Sequence, residues 1–229
     1  MKTITIGRTL DKKGTPTEGT GVELNTDGAT IKLLNAQKKI VLFSNPVTGE
    51  YAATVHVTDA QGVTTEKGLG ILPPTASGPP MHIHPNYEEE FEVVEGSALF
   101  ILDKKEVIMH AGDKIVVDKG VAHTFKPHGD SILSVLVEAR PAGKLNEVVH
   151  TIFGLAHEGK LDKKGQPNFW QGIAFGSELS DDTVFTSPPP AIQRIVFKLF
   201  AKTALKKGYK ALYPEYMEDE FWIKRVEQM

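Results

Sequence analysis

Short runs rich in Val, Ile, Thr and Phe recur up to residue 140, each stopped by a turn signal, and this punctuation constrains the fold more than any other feature. The runs are KIVLFS (39–44), YAATVHVTD (51–59), FEVVEG (91–96), SALFILD (97–103), KIVVD (114–118) and SILSVLVEA (131–139). Their β-branched and aromatic residues suit a pleated, half-buried surface. Between them lie Asn-Pro and Thr-Gly at 45–49, Gly-Pro-Pro at 78–80, Ala-Gly-Asp at 111–113, Lys-Gly at 119–120 and His-Gly-Asp at 128–130, residues that favour tight turns. Many short strands at this spacing imply a sandwich or a barrel. The chain has no cysteine in 229 residues, so no disulfide framework is available, and thiolate zinc sites and cysteine nucleophiles are excluded.

The pattern changes near Pro141. Leu145, Val148, Val149, Ile152, Phe153 and Leu155 are spaced as one face of a helix that stops near Gly159,. A shorter helix is expected over 168–175. A third follows Pro188-Pro189-Pro190, with Ile192, Ile195, Val196, Leu199 and Phe200 on one face, and ends before Gly208,. Its other face carries Arg194, Lys198, Lys202, Lys206 and, past the glycine, Lys210; the expectation is a solvated back on a helix whose apolar face packs against the barrel. The expected division is therefore a β unit over 1–141, with a loosely attached lead at 8–28, and a helical extension over 142–229 packing on the barrel or on a partner subunit.

With 26 Lys+Arg against 29 Asp+Glu, the formal net charge of −3 offers no global basic field, and no nucleic-acid partner is expected,. No stretch approaches the roughly 18 continuous apolar residues of a membrane span, and the N-terminus lacks the apolar core of a signal peptide. The expectation is a cytoplasmic protein with no membrane partner.

Strand parity identifies a site within GPPMHIHPNYEEEFEVVEG, residues 78–96. In an extended segment His82 and His84 point to the same face, so both imidazoles can converge on one ion. In the following strand Glu88, Glu90 and Glu92 fall on one side and Glu89, Phe91 and Val93 on the other. Phe91 and Val93 mark the core side, so Glu89 points inward, where a carboxylate without a counter-charge is costly.

The segment resembles the first motif of the cupin superfamily: His82-Ile-His84, four residues, Glu89, six residues, Gly96. A second cupin-like motif follows as Gly112, five residues, Asp118-Lys-Gly120, two residues, His123. Gly78 stands four residues before His82 where the family has six, Asp118 replaces a proline, and Pro127 stands where an asparagine is typical; none is a metal ligand in the family. The resemblance implies a mainly β fold, a cupin-type double-stranded β-helix or jelly-roll barrel with C-terminal α-helices. It also implies a metal site of His82, His84, Glu89 and His123.

Three neutral imidazoles and one carboxylate give a charge of about +1 with a divalent ion and leave coordination positions open. The set suits one divalent transition metal among Fe, Mn, Ni, Cu, Co and Zn. Glu89, if released from the ion, is the candidate catalytic base. Candidate pocket residues are His56, Tyr87, Phe91, Phe100 and Phe125. No G-x-S-x-G, Walker or H-E-x-x-H motif supports another chemistry. Among cupins the ligand set resembles that of quercetinase-like dioxygenases, then of isomerases and decarboxylases. The implied partner is a small organic molecule, and the alternative is a non-catalytic metal- or metabolite-binding module. Cupins usually pair, so a homodimer is expected.

Overall fold

The computed structural model describes residues 2–229. The chain opens with an antiparallel pair, β1 (Thr3–Ile6) and β2 (Val22–Asn25), then α1 (Ala29–Asn35), β3 (Phe43–Asn45), β4 (Glu50–Thr58) and β5 (Thr64–Leu72). There follow β6 (His82–Ile83), β7 (Glu88–Glu95), β8 (Ser97–Leu102), β9 (Lys105–His110), β10 (Lys114–Val117), β11 (His123–Pro127) and β12 (Leu133–Arg140). Beyond them lie α2 (Leu145–His157), α3 (Phe169–Glu178), β13 (Val184–Phe185), α4 (Pro190–Lys206), a 3₁₀ turn (Pro214–Met217) and α5 (Asp219–Ile223). A six-stranded sheet in the order β10-β7-β12-β5-β4-β3 packs on a five-stranded sheet in the order β13-β6-β11-β8-β9. The result is a mainly β, antiparallel jelly roll with helices after it.

Burial patterns follow from what each strand face meets. On β12 the four residues Leu133 to Leu136 are buried in succession. Leu133 and Val135 join Phe91, Val93, Ala98 and Phe100 between the sheets, while Leu136 faces an outer layer with Val55, Leu69, Phe153 and Trp222. A strand covered on both faces reads as a continuous apolar run. β7 is covered on one face only and alternates, with Glu89, Phe91 and Val93 buried. Its outward Glu90 accepts from Lys67 at 2.9 Å and Arg140 at 2.6 Å.

The helical extension closes that outer layer. Gly154 on α2 is required by packing, because a Cβ there would lie 2.4 Å from the Tyr216 ring. Trp222 is fully covered and donates its indole N–H to the Tyr216 carbonyl at 2.7 Å. Near the C-terminus the chain returns to the lead: Arg8 forms a two-pronged contact with Glu227, at 2.6 Å for each bond, and the Leu10 N–H reaches the Arg225 carbonyl. The lead at 8–28 is thus tied down and contains β2.

Several elements differ from the sequence expectation. Residues 39–42 are not strand; the Gln228 amide occupies both backbone groups of Leu42, accepting its N–H at 2.8 Å and donating to its carbonyl at 3.2 Å. β5 was not expected, because Gly68 and Gly70 lower strand propensity, yet it pairs with both β4 and β12 in the middle of a sheet, where tertiary pairing overrides propensity. β9 and β11 are also strands that composition did not signal.

The third helix corrects the expectation about its faces. Gln193 and Ala204 are its buried residues, and Phe197 packs into the notch of Gly176 on α3, where a Cβ would lie 2.0 Å from the ring. Ile192, Ile195 and Leu199, expected against the barrel, are 51%, 61% and 65% exposed. The apolar residues of α4 cover more than one face, and the small residues of α3 decide which face docks.

Candidate metal centre

The two sheets bring the candidate ligands together from opposite sides. His82 lies on β6, His84 just after it and His123 at the start of β11, with His82 and His123 directly paired across the strands. Glu89 comes from β7 in the other sheet. One ligand atom from each of His82, His84, Glu89 and His123 lies within 4.8 Å of all the others, and all four residues are buried. Gly120 of the second motif donates its N–H to the His84 carbonyl at 2.9 Å, joining the two motif turns.

The outer ring nitrogens are already committed. The Nδ1 of His82 faces the Pro80 carbonyl at 2.7 Å, that of His84 the Asp182 carbonyl at 3.0 Å, and that of His123 the Val121 carbonyl at 3.1 Å. A carbonyl only accepts, so each Nδ1 carries a proton and each Nε2 is turned inward, the arrangement that orients imidazoles for a metal. His123 Nε2 lies 2.8 Å and His84 Nε2 3.1 Å from Glu89 Oε2. The His84 contact is off hydrogen-bonding geometry, leaving that buried nitrogen without a partner. Inward lone pairs facing a carboxylate require a proton or a cation between them.

The donor set therefore fits a metal ion. Ordinary metal–donor lengths of about 2.0–2.2 Å span donor pairs up to about 4.4 Å, so the widest pair needs to close by only a few tenths of an ångström. Burial lowers His82 to about 4, with repulsion between its protonated form and the neighbouring histidines adding to the effect, so its ring is neutral at physiological pH. Burial also pushes Glu89 upward, but the close approach of the His123 and His84 imidazoles outweighs it and brings the carboxyl down to about 2. For His84, burial acts downward, yet Glu89 prevails and its affinity for a proton is raised.

Of the candidate pocket residues, Tyr87 and Phe91 meet the cluster, and Phe100 and Phe125 pack behind Phe91. The Tyr87 ring stacks on His84 with centroids 4.3 Å apart, and Phe91 meets His123 edge-on at 6.1 Å. Phe91, Phe100 and Phe125 pack on one another at 5.1 to 5.4 Å and form the apolar floor. His56 is a correction: it lies on an exposed part of β4, 3.8 Å from Glu66, bordering a shallow cleft with Thr54 and His150. Its strand alternation matched either face, and β4 turns it outward. His150 and His157 share a helix face, but that face packs on Trp222 at 5.8 and 5.7 Å.

One contributor was not visible in the sequence. After α3 the chain passes over the centre, and β13 pairs with β6, Phe185 opposite His82. Asp182 gives its carbonyl to His84, while its carboxylate accepts from the Lys144 N–H at 2.8 Å, the Thr183 hydroxyl at 2.9 Å and the Tyr87 hydroxyl at 3.2 Å. The helical extension thus supplies a strap that orients a ligand. Nothing local in a Ser-Asp-Asp turn signals a role for a residue 98 positions from the histidine it orients.

The family model described as "Cupin domain" matches residues 68–137. Among solved structures, a sugar phosphate isomerase of the cupin superfamily from Silicibacter pomeroyi is similar at 24% identity, covering 45% of this chain and 71% of that one, TM-score 0.35. A predicted oxalate decarboxylase from Thermotoga maritima is similar at 21% identity over 45% of this chain and 94% of that one, TM-score 0.36. KdgF from Halomonas sp. is similar at 19% identity over 39% and 76% respectively, TM-score 0.32. No curated protein matches. The cupin likeness lies in residues 68–137, the segment that carries both ligand-bearing motifs.

Proposed function

We propose that this chain holds one divalent transition-metal ion and is a metal-dependent enzyme acting on a small organic molecule, with oxygenation the leading chemistry. A single observation carries the reading: three inward Nε2 atoms and one carboxylate converge in a buried space, each outer Nδ1 already satisfied by a carbonyl. When bound, such an ion supplies Lewis-acid or redox chemistry at its open positions. The chain's own residues do the rest. Glu89, held at about 2, is an anionic donor across the physiological range, and a base role requires it to leave the imidazoles. Tyr87 donates its hydroxyl to Asp182 and so acts as a wall, while Phe91 and Phe125 exclude water from the floor.

Oxygenation ranks ahead of isomerisation because Glu89 is the one buried acidic residue among the described residues. Proton shuttling needs a matched acid and base facing the substrate, and the other carboxylate beside the cluster, that of Asp182, is taken up by Lys144, Thr183 and Tyr87. Tight packing of Phe100 on Phe125 supports a second reading, a metal- or metabolite-holding module without turnover. The deciding experiment is elemental analysis of protein purified without added metal or chelator, beside a His82→Ala/His123→Ala variant, followed by oxygen-consumption assays on phenols, enolisable ketones and carboxylates. Near-stoichiometric iron, manganese, copper, cobalt or nickel absent from the variant, with substrate-dependent oxygen uptake, supports the proposal. Metal without turnover supports the second reading, and failure to bind any ion after reconstitution sinks both.

A further inference from the structure

We propose that the exposed face of the α3–α4 hairpin docks on an anionic lipid surface. No helix among the described residues is long and apolar enough to cross a bilayer. Lying on a bilayer is a separate matter, decided by how apolar and basic side chains are arranged around a helix.

Three strips run along α4. One, with Gln193, Phe197 and Ala204, packs on α3. The second, Ile192, Ile195 and Leu199, stands in solvent at 51%, 61% and 65% exposure. At 100° per residue these three fall on one side of the helix. The third is a row at intervals of four, Arg194, Lys198, Lys202 and Lys206, flanking the apolar strip. The apolar surface continues onto α3: Phe169, 56% exposed, meets Phe200 edge-on at 5.7 Å. Beside it the Lys207 ammonium lies over the Trp170 ring at 5.1 Å.

Charge selects the occupant. From Thr183 to Pro214 the sequence contains no Asp or Glu but carries Arg194 and five lysines, in a chain whose formal net charge is −3. A second copy seated on this face would set one basic row against another, which costs free energy, whereas an anionic surface neutralises the row. The strip is also convex: aliphatic and aromatic side chains project from a helix pair rather than lining a groove. Aromatic and aliphatic groups at the acyl boundary, with lysines extending to the headgroups, are the arrangement of interfacial helices. A contiguous exposed apolar patch on a soluble domain otherwise needs a partner.

The test is flotation of the full chain with vesicles of phosphatidylcholine alone and with about 40% phosphatidylglycerol, at about 0.1 and 0.5 M salt. The expected result is binding to anionic vesicles at low salt, with partitioning at least about 10-fold weaker on neutral vesicles or at high salt. Ile195→Ser/Leu199→Ser should lower partitioning about 10-fold or more. Lys198→Gln/Lys202→Gln should lower it and flatten the salt dependence, while Lys12→Gln/Lys13→Gln, in the lead, should change little. All substituted side chains are exposed, and circular dichroism checks that each variant folds. Absence of binding by folded wild-type protein overturns the proposal, as does binding that both α4 variants retain. A concentration-dependent dimer that Ile195→Ser/Leu199→Ser converts to monomer assigns the face to a second copy instead. Capture by poly-glutamate without vesicle binding assigns it to an acidic protein.

Discussion

Replacing Asp182 by alanine tests whether the helical extension sets the metal affinity of the barrel. The Asp182 carboxylate accepts three hydrogen bonds, from the Lys144 N–H, the Thr183 hydroxyl and the Tyr87 hydroxyl, at 2.8, 2.9 and 3.2 Å. Hydrogen bonds to a charged group contribute about 1.5–3 kcal/mol each; Thr183 belongs to the strap itself, so at the low end, suited to this half-buried position, the two bonds from Lys144 and Tyr87 anchor the strap by roughly 3 kcal/mol. Only part of that reaches the metal, through the Asp182 carbonyl that fixes the His84 ring at 3.0 Å. Loss of a partner that orients a ligand typically weakens metal binding about 10–100-fold, or about 1.4–2.7 kcal/mol, which fits within the anchoring energy. The assay is chelator competition with Co(II), read by its visible spectrum, on wild type, Asp182→Ala and Asp181→Ala. Asp181 is an exposed neighbour that uses only its carbonyl, toward Asn86, so its variant should match wild type. If Asp182→Ala also binds within about twofold of wild type, below the effect expected of such partners, the strap does not set the affinity.

Other perturbations have signs fixed by the same structure. A divalent ion at about 100 times its dissociation constant adds about 2.7 kcal/mol of stability, or roughly 5–11 °C in melting temperature for a chain of this length; calorimetry should find that rise absent in Glu89→Gln and His123→Ala, and its survival in both would refute the four-donor site. At His84 burial is outweighed by Glu89, and its affinity for a proton is raised in the ion-free site, so metal binding should release protons near pH 7, measured by titration calorimetry in buffers of different ionisation enthalpy; buffer-independent heats would contradict it. Gly96 has φ +83°, and a Cβ there would lie 2.0 Å from the Ile132 carbonyl, so Gly96→Ala should cost about 2–5 kcal/mol in strain and overpacking; a melting curve superposable on wild type would show that this turn is not constrained as described. Burial, then the charge of Arg225, lowers His157 from 6.5 to about 4. Between these values the unfolded chain binds the proton and the fold does not, so stability is full above about pH 6.5 and falls by up to about 3 kcal/mol as pH drops through 4. His157→Gln should flatten that slope in pH-dependent denaturation, apart from the part owed to His150, also lowered by burial.

What could be read from the chain alone divides by the range of the interactions involved. The inward position of Glu89 followed from alternation with Phe91 and Val93, a property of one strand. The convergence of His82 and His84 followed from a two-residue repeat. α2 was legible because Leu145 to Leu155 keep one helical face apolar. Strands β5 and β11 were not, since Gly68, Gly70 and the Thr-Phe-Lys-Pro run are held extended by neighbours rather than by their own preference. His56 was ambiguous for a related reason: alternation sorts residues into two faces but does not say which face is inside.

Sequence by itself determined a chain without disulfides, a sandwich or barrel of short strands and a helical sequel after Pro141, all expressed as local periodicity or short spacing, while the set of four candidate metal donors came from the resemblance to the two cupin motifs. Tertiary structure alone decided that the helical layer shares a core with the barrel through Trp222 and Tyr216, that Asp182 and β13 cross over the histidines, and that α4 docks by Phe197 while Ile195 and Leu199 stay in solvent. Those outcomes depend on which surfaces fit together between segments tens of residues apart, through a glycine notch here and a free carbonyl there. Periodicity fixes which side chains lie together on an element; shape complementarity between elements selects the side that is buried.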